Sequence, residues 1–397
     1  YGEGWEPSNY TVTFAYGTPF AKNVISASIY SGGIIAASFN VPECPQGQYT
    51  IRVQSIAATG VAGESYDENF RIDPKIVLNK SSDVVGAALT ISGNGFAASK
   101  GVTIYFDDVR VGTATTNGTG SFPNVNFTIP ESSYGSHTIR ATDASNNPGE
   151  AVWETRQSMS ITPASGSVGS KVTVDGNGFI ADAEISITFD DAKVATAVSS
   201  SKGSFSVSFS VPFGITGNHE VKASDGSNTG SKVFTISPSI NLNPTRGYTG
   251  TEVTIIGSSF LANKPIVISF DNTNIASINS DANGGFNTKV KVPVRVAGTY
   301  KIKVSDGTYS KEADFSILTS ATISPVTSVA SAGNVGDNVT VSGIGFIAGK
   351  TVTIKYDDVQ VATTVVSANG TFSTMFTVTP SRSGEHNVIA TDGTNTI

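Results

Sequence analysis

Five copies of one Ser/Thr-rich strand pattern fill this chain, and that repetition constrains the fold more than any single motif does. The clearest copy runs Lys171-Val-Thr-Val-Asp-Gly-Asn-Gly-Phe179 and then Ile185-Ser-Ile-Thr-Phe-Asp-Asp191. It continues with Gly203-Ser-Phe-Ser-Val-Ser-Phe-Ser-Val-Pro212, Gly217-Asn-His-Glu-Val221 and Ala223-Ser-Asp-Gly226, and closes on Val233-Phe-Thr-Ile236. A Gly-x-Gly-Phe marker recurs at Gly93–Phe96, Gly176–Phe179 and Gly343–Phe346, is weakened to Gly257-Ser-Ser-Phe260, and becomes Gly2-Glu-Gly-Trp5 at the start. Successive markers lie 91, 83, 81 and 86 positions apart. A period that repeats a whole strand set describes an array of similar small domains rather than one large fold.

Between markers the apolar residues alternate. Phe205, Val207, Phe209 and Val211 interleave with Ser206, Ser208 and Ser210, as in a strand with one buried face. No stretch sustains a 3.6-residue apolar period. Asp-Asp, Asn-Gly and Asp-Gly pairs separate the runs, which suits tight turns. Short strands at regular spacing predict an all-β fold, a linear array of five immunoglobulin-like β-sandwiches. The expected domains are 1–72, 73–161, 162–236, 237–317 and 318–397, the first without its opening strands and the last without its closing strand. The joins carry no Gly/Ser-rich linker, so a stiff or semi-stiff rod is expected. The cut ends are expected from an excerpt of a longer array; the alternative is chains that complete one another end to end.

The segments Pro163-Ala-Ser-Gly-Ser-Val-Gly-Ser-Lys-Val-Thr-Val-Asp-Gly-Asn-Gly-Phe179 and Pro244-Thr-Arg-Gly-Tyr-Thr-Gly-Thr-Glu-Val-Thr-Ile-Ile-Gly-Ser-Ser-Phe260 resemble the opening of IPT/TIG-type immunoglobulin-like domains. The resemblance implies tandem domains like those of prokaryotic surface and secreted proteins, where they serve as stalks, adhesive arrays or parts of cell coats. It speaks to fold more than to function. The closing segments from Ser224 onward depart from the family's usual ending. The Cys pair and core Trp of antibody-type domains are missing as well.

Lys plus Arg number 25 against 32 Asp plus Glu, an acidic balance that argues against a nucleic-acid binder. No apolar run is long enough for a membrane helix. Cys44 is the single cysteine, so no intrachain disulfide forms, and it reads as a loop thiol.

Three histidines occupy one repeat position, at His137, His219 and His386, and Tyr49 and Tyr300 occupy it in the other two copies. A ring with a polar tip at the start of an inward-facing strand resembles a tyrosine corner rather than a metal or catalytic set. The acidic pairs Asp107-Asp108, Asp190-Asp191 and Asp357-Asp358 are weak Ca²⁺ candidates, together with the recurrent Asp143, Asp225, Asp306 and Asp392. Their position between strands favours turn chemistry. No cofactor is expected. Gly93-Asn-Gly-Phe96 lacks the third glycine and helix of a nucleotide loop.

The copy at 237–317 carries eight Lys/Arg against six Asp/Glu, and the rest of the chain 17 against 26. Its Lys289, Lys291, Lys301 and Lys303 should face outward, as a solvated face or as a docking surface for acidic copies or anionic polysaccharide. Sequons at Asn9, Asn79, Asn117, Asn126, Asn338 and Asn369 are possible glycan sites.

Together these features predict a non-enzymatic, extracellular structural protein of a prokaryotic cell surface, a filament, sheath or coat built through edge-strand and end-to-end contacts. Its expected partners are other copies of itself, head-to-tail or lateral, and surface polysaccharide, with no nucleic acid. The alternatives are an adhesin or carbohydrate-binding array, for which Trp153 would be the aromatic platform, and the accessory region of a larger secreted enzyme. Trp153 is read as standing outside the repeat pattern, with edge packing as its other role.

Overall fold

The computed structural model of the protein describes residues 9–15, 22–28, 38–56, 62–328 and 330–397, with side chains for all of these except 9–15, 22–28, 55–56 and 62. Gly2–Trp5 and the side chain of Asn9 lie outside what is described. Every regular element among the described residues is a β-strand, so the chain is all-β. Among the described residues no helix is long and apolar enough to cross a membrane. Two compact units form, Tyr1–Ile161 with Thr173–Val207 and Lys222–Lys232, and Thr162–Val172 with Ser208–Val221 and Val233–Ile397.

In the first unit, Lys22–Ser28, Asn9–Ala15, Gly47–Ile56 and Ala62–Ile72 form a four-stranded sheet in that order. The second strand set is complete. Phe122–Thr128, Ala88–Asn94 and Lys75–Leu78 make a three-stranded sheet. Facing it is a five-stranded sheet ordered Ser82–Val84, Pro148–Arg156, Gly135–Asp143, Gly101–Phe106 and Val109–Thr115. Period-two patterning does what the sequence implies. Leu89, Ile91 and Gly93 point inward from Ala88–Asn94 while their neighbours do not. Ile76, Leu89 and Ile91 from one sheet meet Val102, Ile104, Phe106, Ile139, Ala141 and Trp153 from the other in one core. Each large side chain buried there contributes about 1.5–3 kcal/mol.

In the second unit the fourth set repeats this plan. Ser239–Asn243, Glu252–Ser258 and Phe286–Lys291 face a five-stranded sheet ordered Arg246–Gly247, Ser310–Ile317, Gly298–Ser305, Pro265–Phe270 and Thr273–Asn279. A third-set pair lies in this unit too, Ser165 and Gly166 running parallel to Thr235 and Ile236. The last set has Ser320–Ser324, Asn338–Ile344 and Phe372–Thr377 in one sheet and Val359–Val365, Thr351–Tyr356 and Val388–Thr391 in the other.

The acidic pairs sit in two-residue hairpin turns, because the flanking residues pair directly: Phe106 with Val109, Phe189 with Ala192, Phe270 with Thr273 and Tyr356 with Val359. Both turn residues have positive φ in three of the four, for example Asp190 at 46° and Asp191 at 68°. Such a turn matches the right-handed strand twist, and Asp tolerates the left-handed region better than most residues. Each hairpin also carries a β-bulge at the same step, between Ile104 and Tyr105 in the second set and between Ile268 and Ser269 in the fourth.

Two details differ from the sequence reading. Ser158–Thr162 opens the sheet of the third set, so the strand that closes the second set is Pro148–Arg156. Consequently Trp153 does not stand outside the repeat. It pairs with His137 as Phe315 pairs with Tyr300, and it is fully buried in the core.

Candidate functional site

The Gly-x-Gly-Phe turn is the best-defined local construction. Its first glycine lies beneath an aromatic ring: a methyl group at Gly93 would come within 2.3 Å of Phe122, and one at Gly257 within 2.0 Å of Phe286. The second position needs positive φ, which Gly95, Gly178 and Gly345 adopt at 69°, 69° and 81°. The phenylalanine N–H donates to a glycine carbonyl in a facing turn, Phe96 to Gly120 at 3.0 Å and Phe260 to Gly284 at 2.9 Å.

A carboxylate, buried in three sets and half-buried at Asp225, secures the residue that follows. Asp143 accepts from the Ala97 N–H (2.8 Å), Asp225 from Ile180 (3.0 Å), Asp306 from Leu261 (2.9 Å) and Asp392 from Ile347 (2.8 Å). Each also accepts from its own turn, as Asp143 does from the N–H groups of Ser145 and Asn147. Burial alone would raise the carboxyls of Asp143, Asp225 and Asp392, but the converging N–H donors outweigh it. Asp143 and Asp225 are held below the usual carboxylate range and Asp392 falls to about 2. A buried hydroxyl completes the knot: Thr116 donates to the Ala97 carbonyl, Ser199 to Ile180 and Ser280 to Leu261. Sequence reasoning missed these hydroxyls, which look like any others in a Ser/Thr-rich chain.

In the fourth set Ser259 takes the second glycine's place at φ 60°, and its buried hydroxyl has no hydrogen-bond partner. Ser259→Gly should therefore stabilise that set by about 1 kcal/mol, the relief of left-handed strain and of the orphaned hydroxyl exceeding the added chain entropy. Calorimetry of the full chain checks this; an unchanged or lower melting temperature refutes it.

The turn is also where one strand set meets the next. The Gln46 N–H donates to the Phe96 carbonyl at 3.0 Å, Tyr134 to Phe179 at 2.9 Å, and Ala297 to Gly345 at 2.8 Å. Glycine permits the approach, since a methyl at Gly203 would lie 3.0 Å from Ser133 Cα and one at Gly370 3.1 Å from Val296 Cα. Cys44, half-buried in the first such loop, has its thiol pushed up by burial, partly offset by its hydrogen bond with Tyr49.

The ring position governs this loop. Tyr49, His137, His219, Tyr300 and His386 all bond the carbonyl four residues upstream, at Pro45, Ser133, Ile215, Val296 and Arg382, over 2.6–2.9 Å. The opposite nitrogen of His137 faces Asp107 at 2.8 Å, and that of His386 faces Asp357. Asp357 in turn holds His386 above its ordinary value, helped by the Arg382 carbonyl.

The remaining sequence candidates separate. The second oxygens of Asp107 and Asp357 accept from the N–H groups of Thr138 and Asn387, and Asp191 meets Lys222 at 2.8 Å. These carboxylates are hydrogen-bonded turns, and among the described residues no group of three or more His, Cys, Asp or Glu gathers as a metal would need. Asp108 is exposed, with Arg140 3.8 Å away. Lys289 is paired to Glu252 at 2.8 Å and Lys301 to Asp314 at 2.6 Å, inside their own set. Lys291 is exposed and Lys303 half-buried. Asn79, Asn117, Asn126, Asn338 and Asn369 are all exposed. Trp153, the candidate aromatic platform, is 0 % exposed and donates from Nε1 to Thr155 Oγ1 at 3.2 Å, so it offers no face to a glycan.

No curated protein matches the chain. Among solved structures it is similar to a tetra-tandem repeat in the extending region of a large adhesion protein, at 16% identity over 79% of this chain and 92% of that one, with a TM-score of 0.24. It is similar to the Yersinia pseudotuberculosis adhesin InvE at 9% identity over 41% and 58%, with a TM-score of 0.22. It is also similar to Escherichia coli alpha-2-macroglobulin at 8% over 98% and 48%, with a TM-score of 0.20. The IPT/TIG domain model matches residues 157–237 and 238–317, which takes in the strand Ser158–Thr162 and ends on the closing strand Ser310–Ile317. These two segments are IPT/TIG domains in tandem.

Proposed function

We propose that the chain is a non-enzymatic spacer of a prokaryotic cell surface, an extracellular stalk of tandem immunoglobulin-like domains within a surface filament, coat or adhesive array. The observation that carries this reading is the repeated joint. At Gln46, Tyr134 and Ala297 a loop N–H seats directly on the next strand set, and glycine keeps the approach open. Each set spends its recurrent polar residues on holding its own turns, which suits a mechanical part. Bulges at the outer hairpins of the second to last sets disfavour lateral pairing at those edges, which supports the end-to-end form of contact over the edge-strand form.

Electron microscopy of the purified chain at neutral pH tests the spacer reading. Slender particles several domains long are expected, and regular fibres with an axial repeat would extend the reading to a filament. A compact globular particle would overturn it.

A further inference from the structure

The two ends of one peptide plane are used by different parts of the molecule. The Ser133 carbonyl accepts from His137 Nε2 at 2.8 Å, and the N–H of the same peptide unit, on Tyr134, donates to the Phe179 carbonyl of the third set at 2.9 Å. Because the peptide is planar, fixing its carbonyl aims its N–H. Hydrogen bonds in such a chain also polarise one another, so a stronger donor at the carbonyl strengthens the N–H beyond it. The same arrangement recurs with tyrosine, where Tyr49 holds Pro45 ahead of Gln46 and Tyr300 holds Val296 ahead of Ala297.

Histidine and tyrosine differ in one respect here. A tyrosine hydroxyl keeps its proton to about pH 10, whereas histidine changes charge near neutrality. Both ring nitrogens of His137 face acceptors, Asp107 Oδ2 and the Ser133 carbonyl, so only the doubly protonated ring satisfies both. Neutral imidazole keeps one N–H. The bond to charged Asp107 is the stronger of the two and retains it, leaving a lone pair against the Ser133 oxygen.

We propose that His137 is a proton-dependent latch on the joint between the second and third strand sets, seating the Tyr134 N–H on Phe179 when protonated and releasing it when neutral. The ring is shielded, its side chain 11 % exposed and stacked on Phe106 with centroids 5.0 Å apart. The charged groups around it are few. Asp107 and Asp108 lie in the hairpin turn and Arg140 on the ring's own strand, reaching toward Asp108. Glu154 on the neighbouring strand bonds Ser136, and Glu131 is exposed in the upstream loop. Asp107 is the one in contact with the ring. His386, with matching partners at Asp357 and Arg382, has its proton held above the ordinary histidine range. The geometry of His137 sets the sign: two acceptors need the doubly protonated ring, so the latched joint is complete in acid and lost when the ring is neutral. The joints held by Tyr49 and Tyr300 do not respond in this range.

Spin labels test the latch in the full chain. Cys44→Ser removes the native thiol, and labels at the exposed positions Thr113 and Thr196 report on the second and third sets. The distance distribution should broaden about twofold between about pH 5 and pH 8.5. His137→Tyr, the residue the other joints use, should keep it narrow at both pH values, and His137→Ala broad at both. A second label pair at Ser277 and Thr363, spanning the Tyr300 joint, should not change. A wild-type width that ignores pH overturns the latch, and so does a His137→Tyr chain that broadens as wild type does.

Discussion

Gly257→Ala should destabilise the fourth strand set selectively, leaving the rest of the chain at its wild-type stability. The added methyl would sit 2.0 Å from Phe286 Cε1 and 2.4 Å from its Cζ, and the ring cannot retreat. Phe286 packs on Phe260 with centroids 5.6 Å apart, inside a core that also holds Phe270, Phe315 and nine Val or Ile side chains that are no more than 6 % exposed. A close-packed interior relieves such an overlap only by moving strands, at a cost of about 3 kcal/mol. For a domain of this size that lowers its melting temperature by roughly 10 °C or more. Hydrogen exchange on the full chain should show Glu252–Ser258 and Phe286–Lys291 losing protection while Ala88–Asn94 keeps it. Phe286→Leu added to Gly257→Ala should recover part of the loss, because leucine lacks the ring atoms the methyl meets. A Gly257→Ala chain that melts within about 2 °C of wild type would mean the strands yield far more easily than their packing implies.

That glycine was visible in the sequence as a marker, but its reason was not. The repeat, the alternation of Phe205, Val207 and Phe209, and the turn role of Asp-Asp pairs are local features, set by neighbours one to four positions away. What stayed hidden depends on distant partners. Asp143 and Asp107 recur equally well in the sequence, yet one is a buried acceptor for Ala97, 46 positions away, and the other a half-exposed turn residue facing His137. Trp153 was misplaced because Ser158–Thr162 also alternates, and only sheet membership separates the end of one set from the start of the next. The joint left the weakest trace of all. Its hydrogen bonds run from backbone to backbone, so the loops at Pro45-Gln46, Ser133-Tyr134 and Val296-Ala297 share no side-chain motif. The recurring ring four positions after each seated carbonyl was legible as a corner, and only the geometry connects it to the following set.

Asp143→Ala should cost the second set about 2–4 kcal/mol, because it strands the N–H groups of Ala97, Ser145 and Asn147 in a site only 4 % exposed. Asp143→Asn keeps one carbonyl oxygen and should cost less. The two variants differ from wild type in their acid response as well. Burial works to raise the carboxyls of Asp143, Asp225 and Asp392, yet the N–H donors leave all three depressed, Asp392 to about 2. A depressed carboxyl stabilises the fold above its unfolded value near 4, and that contribution disappears as pH falls through the folded value. For Asp392 the window therefore runs from about pH 4 down to about pH 2, with on the order of 2 kcal/mol at stake. Hydrogen exchange, with its intrinsic acid dependence removed, should show the second set of wild type weakening as pH falls below the ordinary carboxylate range, because Asp143 is depressed too. The same set in Asp143→Asn should start weaker and fall less steeply, since an amide has no proton to gain. If the two acid profiles run parallel, the carboxylate of Asp143 is not the source of the set's acid sensitivity, and the buried N–H contacts act through geometry rather than charge.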